Sequence, residues 1–274
     1  MEKLVIGRGV LAGAVGGLFA FLFARIFAEP IIGRAIDYEA ARDAAKETIG
    51  HGGMHEGPEI FSRAVQANVG IGVGIIALGC ALGALFAVVY CFAAPRLQTM
   101  TPRGLSLAVA MSMFLGIYLL PALKYPANPP AVGNGDTIGD RSGLYLLMVA
   151  ISVALVLAGW LVAHAVTPKL GSWYAMLSGA AVALVGSALA MAVLPPSGHL
   201  AGNPPGSATE TPRPLLDAAG NIVFPGFDAD DLYQFRLFSI GAQLILWLVI
   251  GLLGGELLQR LTARRGTREP VLAA

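Results

Sequence analysis

The sequence has little charge and little cysteine. Only 13% of its 274 residues are charged, whereas 56% are hydrophobic. Soluble domains carry roughly 25% charged residues, so this composition excludes an ordinary soluble fold. The two cysteines, Cys80 and Cys91, share one apolar run. In a helix they would lie ~16 Å apart at ~1.5 Å per residue, which excludes a disulfide framework. A net charge of +1 gives no basic surplus for binding nucleic acid.

Catalytic motifs are also missing. The chain contains no Gly-x-x-x-x-Gly-Lys-Ser/Thr phosphate loop, no Gly-x-Ser-x-Gly elbow and no His-Glu-x-x-His zinc helix. We therefore do not expect an enzyme. Any uphill transport would have to draw on an ion gradient or on another subunit.

Long apolar runs are what the sequence does have. A ~30 Å hydrocarbon core takes roughly 20 helical residues to cross, and six stretches are long enough. The sequence therefore predicts an all-α membrane protein of about six transmembrane helices, folded as a single membrane domain over residues 1–274. The predicted spans are Val5–Ala28, Ala67–Ala94, Leu105–Leu123, Leu144–Val166, Trp173–Leu194 and Phe235–Leu258.

The charges predict the orientation. Basic residues without acidic neighbours occupy the short turns after the second and fourth spans, and more basic residues follow the last span. By the positive-inside rule both termini face the cytoplasm, which places the protein in a bacterial inner membrane. Three longer connections, at about residues 29–66, 124–143 and 195–235, then face outward and hold 14 of the 17 acidic residues. An acidic face concentrates cations, although ordinary topology bias produces the same pattern.

A weak internal repeat suggests duplicated helical hairpins. Pro121 and Pro196 lie 75 residues apart, as do Asn128 and Asn203, and each asparagine precedes two prolines. Transporters are often built from such repeats, with the substrate path between them. Each predicted inward-running helix begins beside an arginine; these are Arg63, Arg141 and Arg236.

The first long connection contains candidate metal ligands. Imidazole, thioether and carboxylate groups suit divalent transition metals, and they are supplied by His51, Met54, His55 and Glu56. Glycines between the histidines favour a flexible loop, which fits transient capture of a metal. The alternative is an ordinary solvated polar loop.

Polar residues inside apolar helices indicate either a pathway or ties between helices. Gln243 lies about two turns into the last span, and Gln66 and Asn68 stand at the start of the second. In the proline-rich second connection, Lys124 would oppose cation passage unless neutralised. We expect it to pair with Asp136 or Asp140.

Two runs in the second long connection are highly specific; they are Leu123–Gly133 and Asp136–Arg141, which begins three residues after the first run ends. Four other pieces of sequence accompany them along nearly the whole chain; they are Glu29-Pro30, Ser62–Gln66, Phe224–Phe227 and Phe235–Ser239. In content and in order, these motifs resemble the CbtA family of predicted cobalt transporter subunits.

The resemblance implies cobalt uptake serving cobalamin synthesis, with Co²⁺ as the transported ion and no tightly bound cofactor. It also implies a small companion subunit, CbtB, with one membrane span. A homo-oligomer in the lipid membrane is compatible with both. The resemblance to this family implies five spans, whereas the sequence here predicts six. The alternative function is a non-transporting membrane scaffold that organises a larger complex through its glycine-lined helices.

Overall fold

The structure is a computed structural model that describes residues 2–50, 62–130, 132–203 and 210–266. Most of these residues are helical. The α-helices are α1 (Glu2–Phe27), α2 (Glu29–Thr48), α3 (Arg63–Val65), α4 (Ile71–Ala93), α5 (Pro102–Met113), α6 (Leu120–Lys124), α7 (Ile138–Val193) and α8 (Ala229–Gly266). Two π-helical segments, Gln66–Gly70 and Phe114–Leu119, join α3 to α4 and α5 to α6. Two short strands, β1 (Leu215–Leu216) and β2 (Ile222–Phe224), pair antiparallel.

Within the described residues, five helical segments are long and apolar enough to cross a membrane. They are Glu2–Phe27, Gln66–Ala93, Pro102–Lys124, Gly135–His199 and Ala229–Leu261. The fourth has 65 residues, far more than one crossing requires. The prediction of an all-α membrane protein with about six spans is therefore confirmed.

The longest helix, α7, is two helices joined at a break. Pro168 interrupts the backbone hydrogen bonding, and Gly171 has a φ of 74°, a left-handed conformation that glycine adopts without a Cβ clash. The two arms then run back along each other in close contact. A Cβ atom added to Gly159 would lie only 2.5 Å from the carbonyl oxygen of Gly179. These arms correspond to the predicted spans Leu144–Val166 and Trp173–Leu194.

The chain divides into two compact units. The first takes its described residues from Met1–Arg25, Phe61–Phe114 and Ile240–Ala274, and the second takes them from Ile26–Ile60 and Leu115–Ser239. The helices α1 and α8 each contribute residues to both units.

Glycines hold the first unit together. Along α1, Gly9, Gly13 and Gly17 face α4 so closely that a Cβ on Gly13 would overlap the carbonyl oxygen of Gly79. Close approach of small residues is a common way for helices to associate in lipid. On the other side of this unit, Ser106 donates a 2.7 Å hydrogen bond to the carbonyl oxygen of Gly251, which joins α5 to α8.

The second unit contains an unpredicted helix, α2, packed on the strand pair. Tyr38 of α2 contacts the rings of Phe224 and Phe227 at centroid distances of 5.4 and 5.1 Å. Arg34 of α2 forms two hydrogen bonds to Asp231, of 2.8 and 2.6 Å. The first long connection therefore begins with an ordered helix that its mixed charge pattern did not reveal.

A serine satisfies the backbone of the π-helical segment Phe114–Leu119. A π-turn shifts the hydrogen-bond pattern and leaves a carbonyl without its usual partner. In the second unit, the fully buried hydroxyl of Ser152 donates a 2.5 Å hydrogen bond to the carbonyl oxygen of Gly116. This bond joins the helix Pro102–Lys124 to the first arm of α7.

Candidate functional site

The candidate metal ligands His51, Met54, His55 and Glu56 lie outside the described residues. In the described ranges, no group of three or more histidine, cysteine, aspartate or glutamate residues could hold a metal ion. His199 is another histidine that could bind a metal, and it lies in the third long connection. It ends a one-turn 3-10 helix, Ser197–His199. The metal-capture loop accordingly stays a prediction.

Lys124 begins the proline-rich run, and its predicted ion pair is wrong. Its ammonium group donates a 2.7 Å hydrogen bond to the carbonyl oxygen of Met191. Asp136 and Asp140 are both exposed to solvent instead. The physical reason is the helix end: carbonyl groups near the end of the second arm of α7 lack helical partners and accept the lysine.

The next residue, Tyr125, makes a second bond to the same region of the chain. Its phenol donates a 2.8 Å hydrogen bond to the carbonyl oxygen of Pro195. Burial raises the pKa of the Tyr125 phenol above its usual range, so the group keeps its proton and its role as a donor. Lys124 and Tyr125 thus fasten the beginning of the second long connection to the beginning of the third.

A buried carboxylate joins these two connections more firmly. The side chain of Glu210 is 1% exposed, and its Oε2 lies 2.7 Å from Nε of Arg141. Its Oε1 accepts hydrogen bonds from the Thr137 hydroxyl, at 2.7 Å, and from the Asn203 amide, at 3.0 Å. Asn203 is in turn 3.1 Å from the amide nitrogen of Asn134. We call these five residues, Asn134, Thr137, Arg141, Asn203 and Glu210, the loop clasp.

The loop clasp explains why the two motifs of the second connection occur together. Asn134 accepts a 3.1 Å bond from the backbone N–H of Asp136, which starts a 3-10 turn leading into α7. That turn places Thr137 and Arg141 one helical turn apart, so both side chains reach Glu210. The sequence therefore folds locally to present a hydroxyl donor, from Thr137, and a positive charge, from Arg141, to one carboxylate.

Arg236 and Asn128 form a second contact across the same unit. The guanidinium of Arg236, at the start of α8, donates 2.9 Å to Oδ1 of Asn128 and 3.3 Å to the carbonyl oxygen of Ala127. Arg141 and Arg236 were predicted only as arginines at the heads of helices. Each one holds a segment of the proline-rich connections in place.

Beneath these contacts lies a pocket of about 520 Å³, which we call the loop pocket. Three tyrosines and several small hydroxyl or amide groups supply most of its polar lining. Both members of the Arg141–Glu210 pair reach its wall. The lining includes Tyr118, Tyr125, Asn128, Ser142, Tyr145 and Ser197.

The remaining predicted pathway residues belong to the first unit. Gln66 and Asn68 lie in the π-helical segment Gln66–Gly70, and Asn68 accepts a 2.9 Å hydrogen bond from Nε of Arg25. Arg63 is in α3, the short helix that precedes this segment. Gln243 is partly buried within α8.

Glu210 belongs to this site although the sequence did not predict it. It follows Asn203 of the internal repeat by seven residues, but the equivalent position of the repeat is Gly135, so the repeat gives no signal for an acid there. A single acid in a long acidic connection looks like a solvated charge. Only the tertiary contacts distinguish it from its neighbours.

A comparison with known families gives a match over nearly the whole chain. The model of one family, the probable cobalt transporter subunit (CbtA), matches residues 2–259. No curated protein and no solved structure matches the chain. The match covers four membrane-crossing segments completely, the fifth as far as Gln259, and the whole loop clasp. The chain therefore belongs to the CbtA family of probable cobalt transporter subunits, and it is an integral membrane protein.

Proposed function

We propose that this chain is the membrane subunit of a transporter that takes up cobalt, or a similar divalent transition metal, for cobalamin synthesis. The family match over residues 2–259 is the observation that carries the proposal. The apolar helices provide the membrane part that such a subunit needs. The role is that of a transporter subunit rather than an enzyme, with Co²⁺ as substrate and not as a resident cofactor.

Metal capture is assigned to His51, Met54, His55 and Glu56. Two imidazoles, a thioether and a carboxylate are ligands of the right softness for cobalt. The helix that leads into this loop, α2, carries five acidic and three basic residues. Its excess negative charge would raise the local concentration of cations near the loop.

Passage through the membrane is assigned to polar groups of the first unit. Gln66, Asn68 and Gln243 interrupt otherwise apolar helices, and polar groups at membrane depth commonly line ion paths. The π-helical segment Gln66–Gly70 strengthens this choice, because π-turns occur frequently at functional sites and expose backbone carbonyl oxygens. Carbonyl and amide oxygens are suitable transient ligands for a partly hydrated cation.

The proposed setting is a bacterial inner membrane, with both termini in the cytoplasm and a small CbtB-like single-span partner. The positive-inside bias of the short turns supports this orientation. The family description as a subunit supports a partner. A homo-oligomer would be compatible with the same assignment.

Packing within the chain offers another explanation for glycines on which the scaffold alternative relied. That alternative treated glycine-lined helices as docking faces for other proteins. In the first unit, Gly9, Gly13 and Gly17 of α1 are instead occupied by Gly79, Gly83 and neighbouring residues of α4. These glycines are explained by packing within the chain.

The test is uptake of radioactive cobalt by cells that lack other cobalt importers. Four arms are compared: the chain alone, the chain with its CbtB-like companion, a His51→Ala/His55→Ala double variant, and a His164→Ala control. His164 is a suitable control because its side chain is exposed on the first arm of α7, outside the proposed capture loop. Uptake that requires the chain, falls at least several-fold in the double variant and is unchanged in the control is the expected result.

Two other results are informative. Uptake that is indifferent to His51 and His55 would keep the transporter and reject the capture loop. No uptake in any arm, with the protein present in the membrane, would reject the transport function in favour of a scaffold.

A further inference from the structure

The loop pocket lies near the ends of two segments that are long and apolar enough to cross a membrane. Asn128 follows the end of Pro102–Lys124 by four residues and precedes the start of Gly135–His199 by seven. Tyr118 lies six residues from Lys124, and Tyr145 seven from Ile138, or ~9–11 Å along each helix at ~1.5 Å per residue. Tyrosine is enriched near the ends of membrane spans because its ring is apolar and its hydroxyl group is polar.

The open side of the loop pocket is apolar and exposed. Ile138 is 57% exposed and Leu146 is 65% exposed, and both line the pocket along one face of the first arm of α7. Asn128, Ser142 and Ser197 supply hydrogen-bonding groups to the same lining, and Asn128 and Ser197 are partly buried. A pocket lined by exposed apolar side chains together with polar groups suits an amphiphilic occupant rather than a free ion.

The charges beside the loop pocket oppose a cation. Arg141 is neutralised by Glu210, at 2.7 Å. Arg236, which holds Asn128 at the pocket wall, has no carboxylate within ion-pair distance in the described part of the chain. Lys124 likewise donates to a carbonyl oxygen and not to an acid. The exposed acids Asp136 and Asp140 are not among the lining residues.

We propose that the loop pocket binds the phosphate-bearing head of an anionic phospholipid, with the acyl chains leaving along Ile138 and Leu146. The surplus positive charge of Arg236 attracts the phosphate, and the amide and hydroxyl groups of Asn128, Ser142 and Ser197 bind its ester oxygens. The tyrosines pack against the glycerol backbone. Because the lipid would touch both proline-rich connections, its binding would stabilise the loop clasp.

The test measures lipid binding to the purified full-length chain by native mass spectrometry. Phosphatidylglycerol and phosphatidylcholine are titrated separately, and glycerol phosphate is added as a soluble competitor. Ser142→Trp fills the pocket. Leu147→Trp is the matched control, because Leu147 is on the same helix, is 45% exposed and does not line the pocket.

We expect one tightly bound phosphatidylglycerol that survives in the Leu147→Trp variant and is lost in Ser142→Trp. Arg236→Gln should lower the preference for phosphatidylglycerol over phosphatidylcholine about fivefold, which corresponds to ~1 kcal/mol per basic residue near an anionic lipid. This ratio separates charge recognition from general damage, since a misfolded variant would lose both lipids equally.

Three outcomes would overturn the proposal. The first is equal binding of the two lipids by the unmodified chain. The second is retention of the tight lipid in Ser142→Trp. The third is displacement of the lipid by millimolar glycerol phosphate, which would assign the pocket to a soluble phosphate ester. None of these readouts depends on cobalt uptake, so their failure is distinct from failure of the transport proposal.

Discussion

Replacing Glu210 by glutamine should destabilise the second unit more than any exposed ion pair could. The glutamine keeps an oxygen for Thr137 and Asn203 but turns an amide toward Arg141, whose Nε lies 2.7 Å from the native carboxylate. Removing one member of a buried pair costs about 3–5 kcal/mol, because the remaining charge is left uncompensated. The Arg141 side chain is 28% exposed and can partly rehydrate, so we expect about 2–3 kcal/mol.

The assay is thermal unfolding of the detergent-purified chain, followed by tryptophan fluorescence. For a protein of this size a loss of 2–3 kcal/mol corresponds to a fall in Tm of roughly 5–10 °C. Arg34→Gln is the matched control, since it breaks an Arg–carboxylate pair whose arginine side chain is 51% exposed. Exposed pairs contribute about 0–1 kcal/mol, so its Tm should fall by no more than roughly 3 °C.

A double-mutant cycle then isolates the pair itself. Arg141→Gln combined with Glu210→Gln should cost clearly less than the sum of the single changes, because the double variant leaves no unpaired buried charge. Two results would contradict a stabilising Arg141–Glu210 pair. One is a Tm shift for Glu210→Gln no larger than that for Arg34→Gln, and the other is simple addition of the Arg141→Gln and Glu210→Gln effects in the double variant.

Three further predictions concern stability. Gly13→Ala should lower Tm because its Cβ would overlap a backbone oxygen. Gly7→Ala has open space around it, so its Tm should be unchanged or higher, since a helix favours alanine over glycine by up to about 1 kcal/mol. A similar fall in Tm for both variants would contradict the close packing of α1 on α4. Ser152→Ala should lower the free energy of unfolding by about 1–2 kcal/mol, because it leaves the buried Gly116 carbonyl oxygen without the serine donor. Ser178→Ala should change it little, since the Ser178 hydroxyl donates only within its own helix. Hydrogen bonds from Asn221 and neighbouring backbone N–H groups lower the pKa of Asp217 in the folded chain. The ionised carboxylate therefore stabilises the folded chain fully at a pH above the pKa that Asp217 has in the unfolded chain. This stabilisation is lost as the pH falls through the lower pKa of the folded chain. The Tm difference between the native chain and Asp217→Asn should therefore shrink as the pH is lowered from 6 to 3, and a constant difference would argue against the assignment.

Hydrophobic length was enough to predict the membrane part of this protein. A span must satisfy its own backbone hydrogen bonds in lipid, so an apolar run of about 20 residues has one available structure. The predicted spans agree with the helices to within a few residues at most ends, including the pair joined at Gly171. The helix α2 was missed because its residues are polar and it is held by tertiary contacts of Tyr38 and Arg34.

The features of the candidate site likewise divide into those that the sequence predicted and those that only the tertiary structure decided. The sequence by itself determined the all-α membrane fold with about six spans, the proline-rich connections and the family resemblance, because these depend on local composition and on short motifs. Only the tertiary structure decided which charges are paired. It gave Lys124 a carbonyl partner instead of Asp136 or Asp140, and it buried Glu210 against Arg141 across nearly 70 residues of chain. Charge pairing over such separations depends on how the helix ends meet, and no local pattern of residues records that geometry.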